Sequence, residues 1–161
     1  MKGRLRHRFL FSASVCCLLA ASGCGDGTVF HQYRPTPLKG WDKQDTLYFE
    51  LPPMPATQTC HLTLEFRTTC AFPYQNLWLV VEQRLHDPKR LRRDTIEYVL
   101  TGPQGTDKEK GVNLTSHERD LPPEKFIGGQ HGQICVYHIM RRETVPGICD
   151  VGLRLSTDNR H

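Results

Sequence analysis

Apolar side chains recur at every second position through most of this chain, and no other feature constrains its fold as strongly. In residues 45–51 (DTLYFEL), Leu47, Phe49 and Leu51 alternate with Thr46, Tyr48 and Glu50. In residues 61–67 (HLTLEFR), Leu62, Leu64 and Phe66 alternate with His61, Thr63, Glu65 and Arg67. Successive side chains of a β-strand point to opposite faces, so each segment has one apolar face and one polar face. Residues 95–100, 134–140 and 149–155 continue the pattern, and residues 28–33 add an N-terminal strand. Residues 77–85 (LWLVVEQRL) begin apolar on both faces, as a central strand does, which places Trp78 in the core.

The breaks between these segments are turn chemistry. Residues 51–56 (LPPMPA) carry three prolines, Asp87-Pro88 closes the third segment, and residues 102–111 (GPQGTDKEKG) form a polar loop. Residues 121–124 (LPPE) and Pro146-Gly147 are further breaks. No stretch of ten or more residues has helical periodicity. The expected class is all-β: a single β-sandwich of immunoglobulin or jelly-roll type, with seven to eight mostly antiparallel strands.

The N-terminus reads differently. Lys2, Arg4, Arg6, His7 and Arg8 precede an uncharged, mostly apolar run of 13 residues from Phe9 to Ala21. That is far short of the roughly 20 residues a membrane-spanning helix needs, and it is the pattern of a secretory signal. Ala21-Ser22-Gly23-Cys24 then has the small-small-Cys form of a lipoprotein cleavage site, with Cys24 as the thiol that takes the lipid. The expected organisation is a signal peptide over 1–23, a lipidated N-terminus with tether or first strand over 24–40, the sandwich over 41–155 and a loose tail over 156–161. Removing residues 1–23 from the 161 leaves 138. It also removes four of the 21 Lys and Arg residues and none of the 17 Asp and Glu residues. The mature chain is therefore charge-balanced, and the basic excess gives no argument for nucleic acid as a partner.

Cys16 and Cys17 leave with the signal. Cys60, Cys70, Cys135 and Cys149 remain, which permits three pairings, and an oxidising compartment favours at least one disulfide. No close Cys-x-x-Cys pair is present, and Cys135 and His138 fall on opposite faces of one strand, so no metal site is expected. No nucleophile motif or phosphate-cradling loop appears, so the chain is not expected to be an enzyme or to hold a cofactor. His138 is expected to partner a neighbouring side chain rather than act as a base. Two basic runs are candidate partner contacts. Lys89, Arg90, Arg92 and Arg93 are expected at a solvated hairpin tip, and Arg141 and Arg142, after a strand end, are expected to hold the turn by hydrogen bonds to Asp150 or Glu143, with a partner contact as the alternative.

Several segments, in order, resemble the GldH-type gliding-motility lipoproteins of the Bacteroidetes. They are Trp41-Asp42 leading into a strand, Phe72-Pro73-Tyr74-Gln75-Asn76-Leu77, and residues 94–100 (DTIEYVL). Met140-Arg141 and then Pro146-Gly147-Ile148-Cys149-Asp150-Val151-Gly152-Leu153 complete the series. With the lipoprotein cleavage site, the similarity covers most of residues 24–155. The family tends to carry a Gly-x-Trp-x-Gly segment after the fourth strand, whereas loop 102–111 here has no tryptophan. The four cysteines of the mature body are not family features.

The resemblance implies a non-catalytic envelope lipoprotein that supports assembly or stability of the gliding and type IX secretion machinery. Its implied partners are other envelope lipoproteins of that machinery, and its contact with membrane is the lipid anchor. Gly25-Asp26-Gly27 after Cys24 is not a run of acids, which favours an outer-membrane anchor facing the periplasm. The alternative is a glycan- or ligand-binding lipoprotein that uses exposed aromatics, with Trp41, Trp78 and Tyr74 as candidates.

Overall fold

The computed structural model describes residues 27–100 and 114–157. The signal segment, Cys24, loop 102–111 and residues 158–161 lie outside the described residues. Eleven strands form: β1 (Thr28–Pro35), β2 (Trp41–Asp42), β3 (Leu47–Leu51), β4 (Gln58–Thr68), β5 (Asn76–His86), β6 (Arg90–Val99), β7 (Thr115–Asp120), β8 (Glu124–Phe126), β9 (His131–His138), β10 (Thr144–Val145) and β11 (Ile148–Thr157). The described residues contain no helix. One sheet runs β1-β11-β4-β7, with β8 also on β4. The second runs β3-β9-β5-β6, and β2 and β10 form a small ribbon. Every strand pairing is antiparallel.

The period-two pattern dictates how the sheets meet. Leu62, Leu64 and Phe66 of β4 stand opposite Leu155, Leu153 and Val151 of β11, all buried. The second sheet contributes Phe49, Leu51, Leu77, Leu79, Val81, Ile134 and Val136 to the same core. Each such side chain removed from water contributes roughly 1.5–3 kcal/mol, so the sandwich is held by this shared layer. The all-β sandwich class is what the alternation requires; the strand count is eleven rather than seven or eight. The additional strands β2, β7, β8 and β10 are short or polar, so their pairing is set by neighbouring strands rather than by their own periodicity.

Two boundaries move. β1 pairs with β11 from Thr28 to Pro35, so the sandwich begins at this first strand rather than at residue 41. Ser156 and Thr157 extend β11, facing His61 and Cys60, so the strand outlasts the expected limit at Leu155.

The basic run at 89–93 also differs from expectation. The turn is confined to Asp87–Lys89, and β6 begins at Arg90, paired with Leu85. Alternation then aims Arg90 and Arg92 between the sheets. There Glu124 of β8 accepts Nη1 of Arg92 at 3.1 Å, pairs with Nη2 of Arg90 at 3.1 Å, and accepts Nε2 of Gln83 at 2.6 Å. The Arg90 guanidinium also lies 5.0 Å over the Phe126 ring. β6 is an outer strand, and charges pointing inward from such a strand discourage another chain from pairing with it.

Cys60, Cys70, Cys135 and Cys149 stand as four free cysteines in this structure. Cys60 lies in the core from the first sheet, whereas Cys135 sits on β9 between the core residues Ile134 and Val136 and faces away from them. Burial raises the thiol pKa of both, which keeps them protonated and unreactive.

Burial lowers the pKa of His138 and of His117 from the ordinary 6.5. Both groups favour the neutral form in the fold, so their contribution is complete above pH 6.5 and declines as pH falls from there toward the lower folded values. Urea unfolding between pH 7 and pH 5 is therefore expected to show falling stability. A His138→Gln variant is expected to show a shallower decline than wild type.

Candidate functional site: an aromatic groove rimmed by arginines

β5 is longer than the strand beside it. β9 pairs with β5 only from His131, opposite His86, to His138, opposite Leu79. Past His138 the chain makes one more ladder-like bond, from the Ile139 N–H to the Trp78 carbonyl at 3.0 Å. The Trp78 N–H then donates to the Met140 sulfur at 3.4 Å, and the chain turns away. The first residues of β5 are left without a neighbour on that side.

A groove of about 630 Å³ opens there, within the ~300–1,000 Å³ typical of ligand pockets. Tyr74, Asn76, Trp78, Ile139 and Met140 line it, with Arg141 and Arg142 at its edge. Trp78 is 36% exposed, which corrects its expected place in the core. The residues at 77 and 79 face inward, so alternation turns 78 outward, and the early end of β9 leaves it uncovered. Tyr74 is held edge-on by Phe72, with ring centroids 5.4 Å apart. Asn76 Nδ2 donates to Glu97 Oε1 at 3.0 Å, which leaves its own amide oxygen for the groove. Arg141 and Arg142 are exposed, and neither has a hydrogen-bond or ion-pair partner among the described residues.

Buried contacts fix the arginine loop at both ends. At one end is His138, whose Nε2 lies 3.1 Å from the Trp41 carbonyl and whose ring meets Trp41 edge-on at 5.3 Å. His138 thus bonds a neighbouring backbone group, and with its pKa lowered by burial it stays neutral. At the other end, β10 pairs with β2, setting Val145 opposite Trp41 and Thr144 opposite Asp42. Trp41 is wholly buried, and its indole N–H donates to the Asp45 carbonyl at 2.7 Å. The turn after β10 then presses on the β4–β5 connection that carries Tyr74. Gly147 has φ +81°, and a Cβ there would lie 2.2 Å from the Phe72 nitrogen. The Thr69 N–H donates to the Gly147 carbonyl at 2.8 Å.

A second polar cluster covers the outer face of the first sheet. Glu65 of β4 accepts Arg154 Nε at 2.9 Å, lies 3.0 Å from His31 Nε2, and accepts a short hydrogen bond from the Tyr33 hydroxyl. Burial, and then the bond to Glu65, raise the Tyr33 pKa to about 12. Arg67 grips Asp150 through two hydrogen bonds, one of them 2.8 Å from Nε. The Tyr33 ring lies flat over Gly152, where a Cβ would come within 2.5 Å of it. The Asp150-Val151-Gly152 segment is therefore architectural: an ion pair, a core side chain and a gap for an aromatic ring. Its charges are matched internally, and it offers no free group for chemistry.

The six basic residues expected to meet a partner do not form one patch. Arg90 and Arg92 are spent on Glu124, Lys89 stands exposed in its turn, and Arg93 lies 5.7 Å over the Tyr137 ring on the outer face of the second sheet. Only Arg141 and Arg142 share a concave site. Among the described residues, no three His, Cys, Asp or Glu side chains are placed to hold a metal ion. Ile139 and Met140 were not expected at a site; they enter it because β9 stops one turn early.

The model of the GldH lipoprotein family matches residues 28–155, which spans both sheets and the whole groove. The chain belongs to the GldH lipoprotein family. It is 25% identical over 165 aligned residues to a gliding motility lipoprotein GldH homolog of Christiangramia forsetii, covering 96% of this chain and all of that protein. It is 27% identical over 142 residues to the gliding motility lipoprotein GldH of Flavobacterium johnsoniae, covering 82% of this chain and 86% of that one. Part of the GldH-like sequence meets around the groove, whereas residues 94–99 lie on β6 and residues 150–153 on β11. Residues 72–77 and Met140-Arg141 line or flank the groove, Trp41 anchors it from beneath, and Pro146-Gly147 braces its far side.

Proposed function

We propose that this protein is a lipoprotein anchored through Cys24 in the cell envelope, facing the periplasm. Its non-catalytic sandwich supports assembly or stability of the gliding-motility and type IX secretion machinery through protein–protein contacts. The observation that carries this reading is family membership across residues 28–155, together with the meeting of two GldH-like segments, residues 72–77 and Met140-Arg141, at one open groove. Two arginines without partners among the described residues, beside exposed aromatics, are the composition of a contact hot spot, where Arg, Tyr and Trp predominate. Groups arranged for acid, base or nucleophilic chemistry do not converge in it, which favours binding over catalysis. Glycan binding is the second reading, supported by the exposed Trp78 beside Tyr74.

Deletion of the gene in its host tests the proposal. Secretion of type IX cargo, and gliding where the host glides, are expected to fail and to return with the wild-type gene but not with Cys24→Ala. Normal secretion of every cargo in the deletion strain would contradict the reading.

A further inference from the structure

We infer that the Trp78 groove receives an extended acidic segment of a partner protein, in which Asp or Glu side chains neighbour an aromatic or aliphatic residue. The inference rests on the protein-contact reading above and specifies the chemistry of the contact.

The floor is apolar: Trp78 and Tyr74 present ring surface, and Ile139 and Met140 present aliphatic and thioether surface. The polar groups around it are mostly donors. Arg141 and Arg142 carry only donors, and the indole of Trp78 adds one more. The Asn76 amide oxygen and the Tyr74 hydroxyl are the side-chain acceptors, and no carboxylate lines the groove. Glu97, on the strand beside β5, is engaged by Asn76.

A neutral sugar needs donors and acceptors in comparable number, and this lining is short of acceptors. A carboxylate beside an apolar side chain satisfies both halves, because the arginine fork matches a carboxylate in two-point geometry. The arginines do not fold back onto an acid of their own chain among the described residues, in contrast to Arg67, Arg90, Arg92 and Arg154. Of the six candidate contact residues, they are the two that stand at a groove without an acid partner among the described residues. The groove also lies at the uncovered start of a strand, where an extended chain has room to lie alongside.

The test uses the full chain in detergent micelles and a phage-displayed library of random 12-residue peptides. Surviving sequences are expected to be enriched in Asp and Glu next to Phe, Tyr or Leu. Synthetic copies are expected to change tryptophan fluorescence, since Trp78 is the exposed one of the two tryptophans and Trp41 is buried. The change is expected to vanish in Trp78→Phe. Affinity is expected to fall at least about tenfold in the Arg141→Gln/Arg142→Gln double variant, and with added salt.

Circular dichroism matching wild type establishes that the double variant is folded; if it is not, Arg141→Lys with salt titration carries the same comparison. Survivors without acidic enrichment, or peptides that bind the double variant equally well, overturn the inference. So does arginine-dependent binding to a glycan array or to phosphatidylglycerol vesicles with no peptide selected. A deletion phenotype with no peptide binding would leave the protein-contact reading standing and sink this one. Peptide binding with no deletion phenotype would do the reverse.

Discussion

Trp41→Ala is expected to lower the free energy of unfolding by about 3–5 kcal/mol, the usual range for deleting a large buried aromatic ring. Trp41 is fully buried, donates its indole N–H to Asp45, and lies against His138. The loss of packing is only part of the effect. The Trp41 carbonyl is the partner of the His138 ring, and its strand carries the β10 pairing. A loosened β2 would free the 139–147 loop at both of its attachments. The variant is thus expected to lose fixed geometry at Arg141 and Arg142 as well as stability. Urea denaturation gives the first quantity. Faster amide exchange confined to 139–147, measured below the unfolding midpoint, gives the second. A change in stability without that local exchange would mean the loop does not depend on the Trp41 anchor.

Gly147→Ala is the second large effect. The φ of +81° alone costs a residue with a Cβ about 1–3 kcal/mol. The new Cβ would also stand 2.2 Å from the Phe72 nitrogen and 2.6 Å from the Ala71 carbonyl carbon, both backbone, which cannot swing aside as a flexible side chain could. The β4–β5 connection that carries Tyr74 must move, or the turn must open. Destabilisation beyond the dihedral cost is expected, together with weaker peptide binding at the Trp78 groove. Gly129 provides the contrast. It also has positive φ, +81°, but a Cβ there meets nothing within 4 Å, so Gly129→Ala is expected to cost only the dihedral. Thermal unfolding of the two variants side by side separates strain from collision.

What could be read from the sequence was whatever the core imposes. Leu62, Leu64 and Phe66, or Val151, Leu153 and Leu155, must share a face if the strand is to bury anything, and they do. What could not be read depends on neighbours. Whether Trp78 is covered is decided by where β9 ends, and nothing in residues 77–85 encodes that. Arg90 and Arg92 read as a solvated tip because their counter-charge, Glu124, comes from a three-residue strand whose own pattern is too short to recognise. The disulfide expectation followed from compartment alone, whereas pairing depends on facing, and Cys60 and Cys135 belong to different sheets. The groove was half legible: Arg141, Arg142, Tyr74 and Trp78 were each singled out, but for different reasons and as separate features. Only the fold brings them together.

The central claim is that this protein works by holding a partner at the Trp78 groove while anchored in the envelope. Its most direct test is complementation of the deletion strain with Arg141→Glu/Arg142→Glu, compared with Lys89→Glu/Arg93→Glu, which changes the same charge away from the groove. At matched envelope levels, the account predicts that the groove variant fails to restore cargo secretion while the other restores it. Full restoration by the groove variant would contradict it.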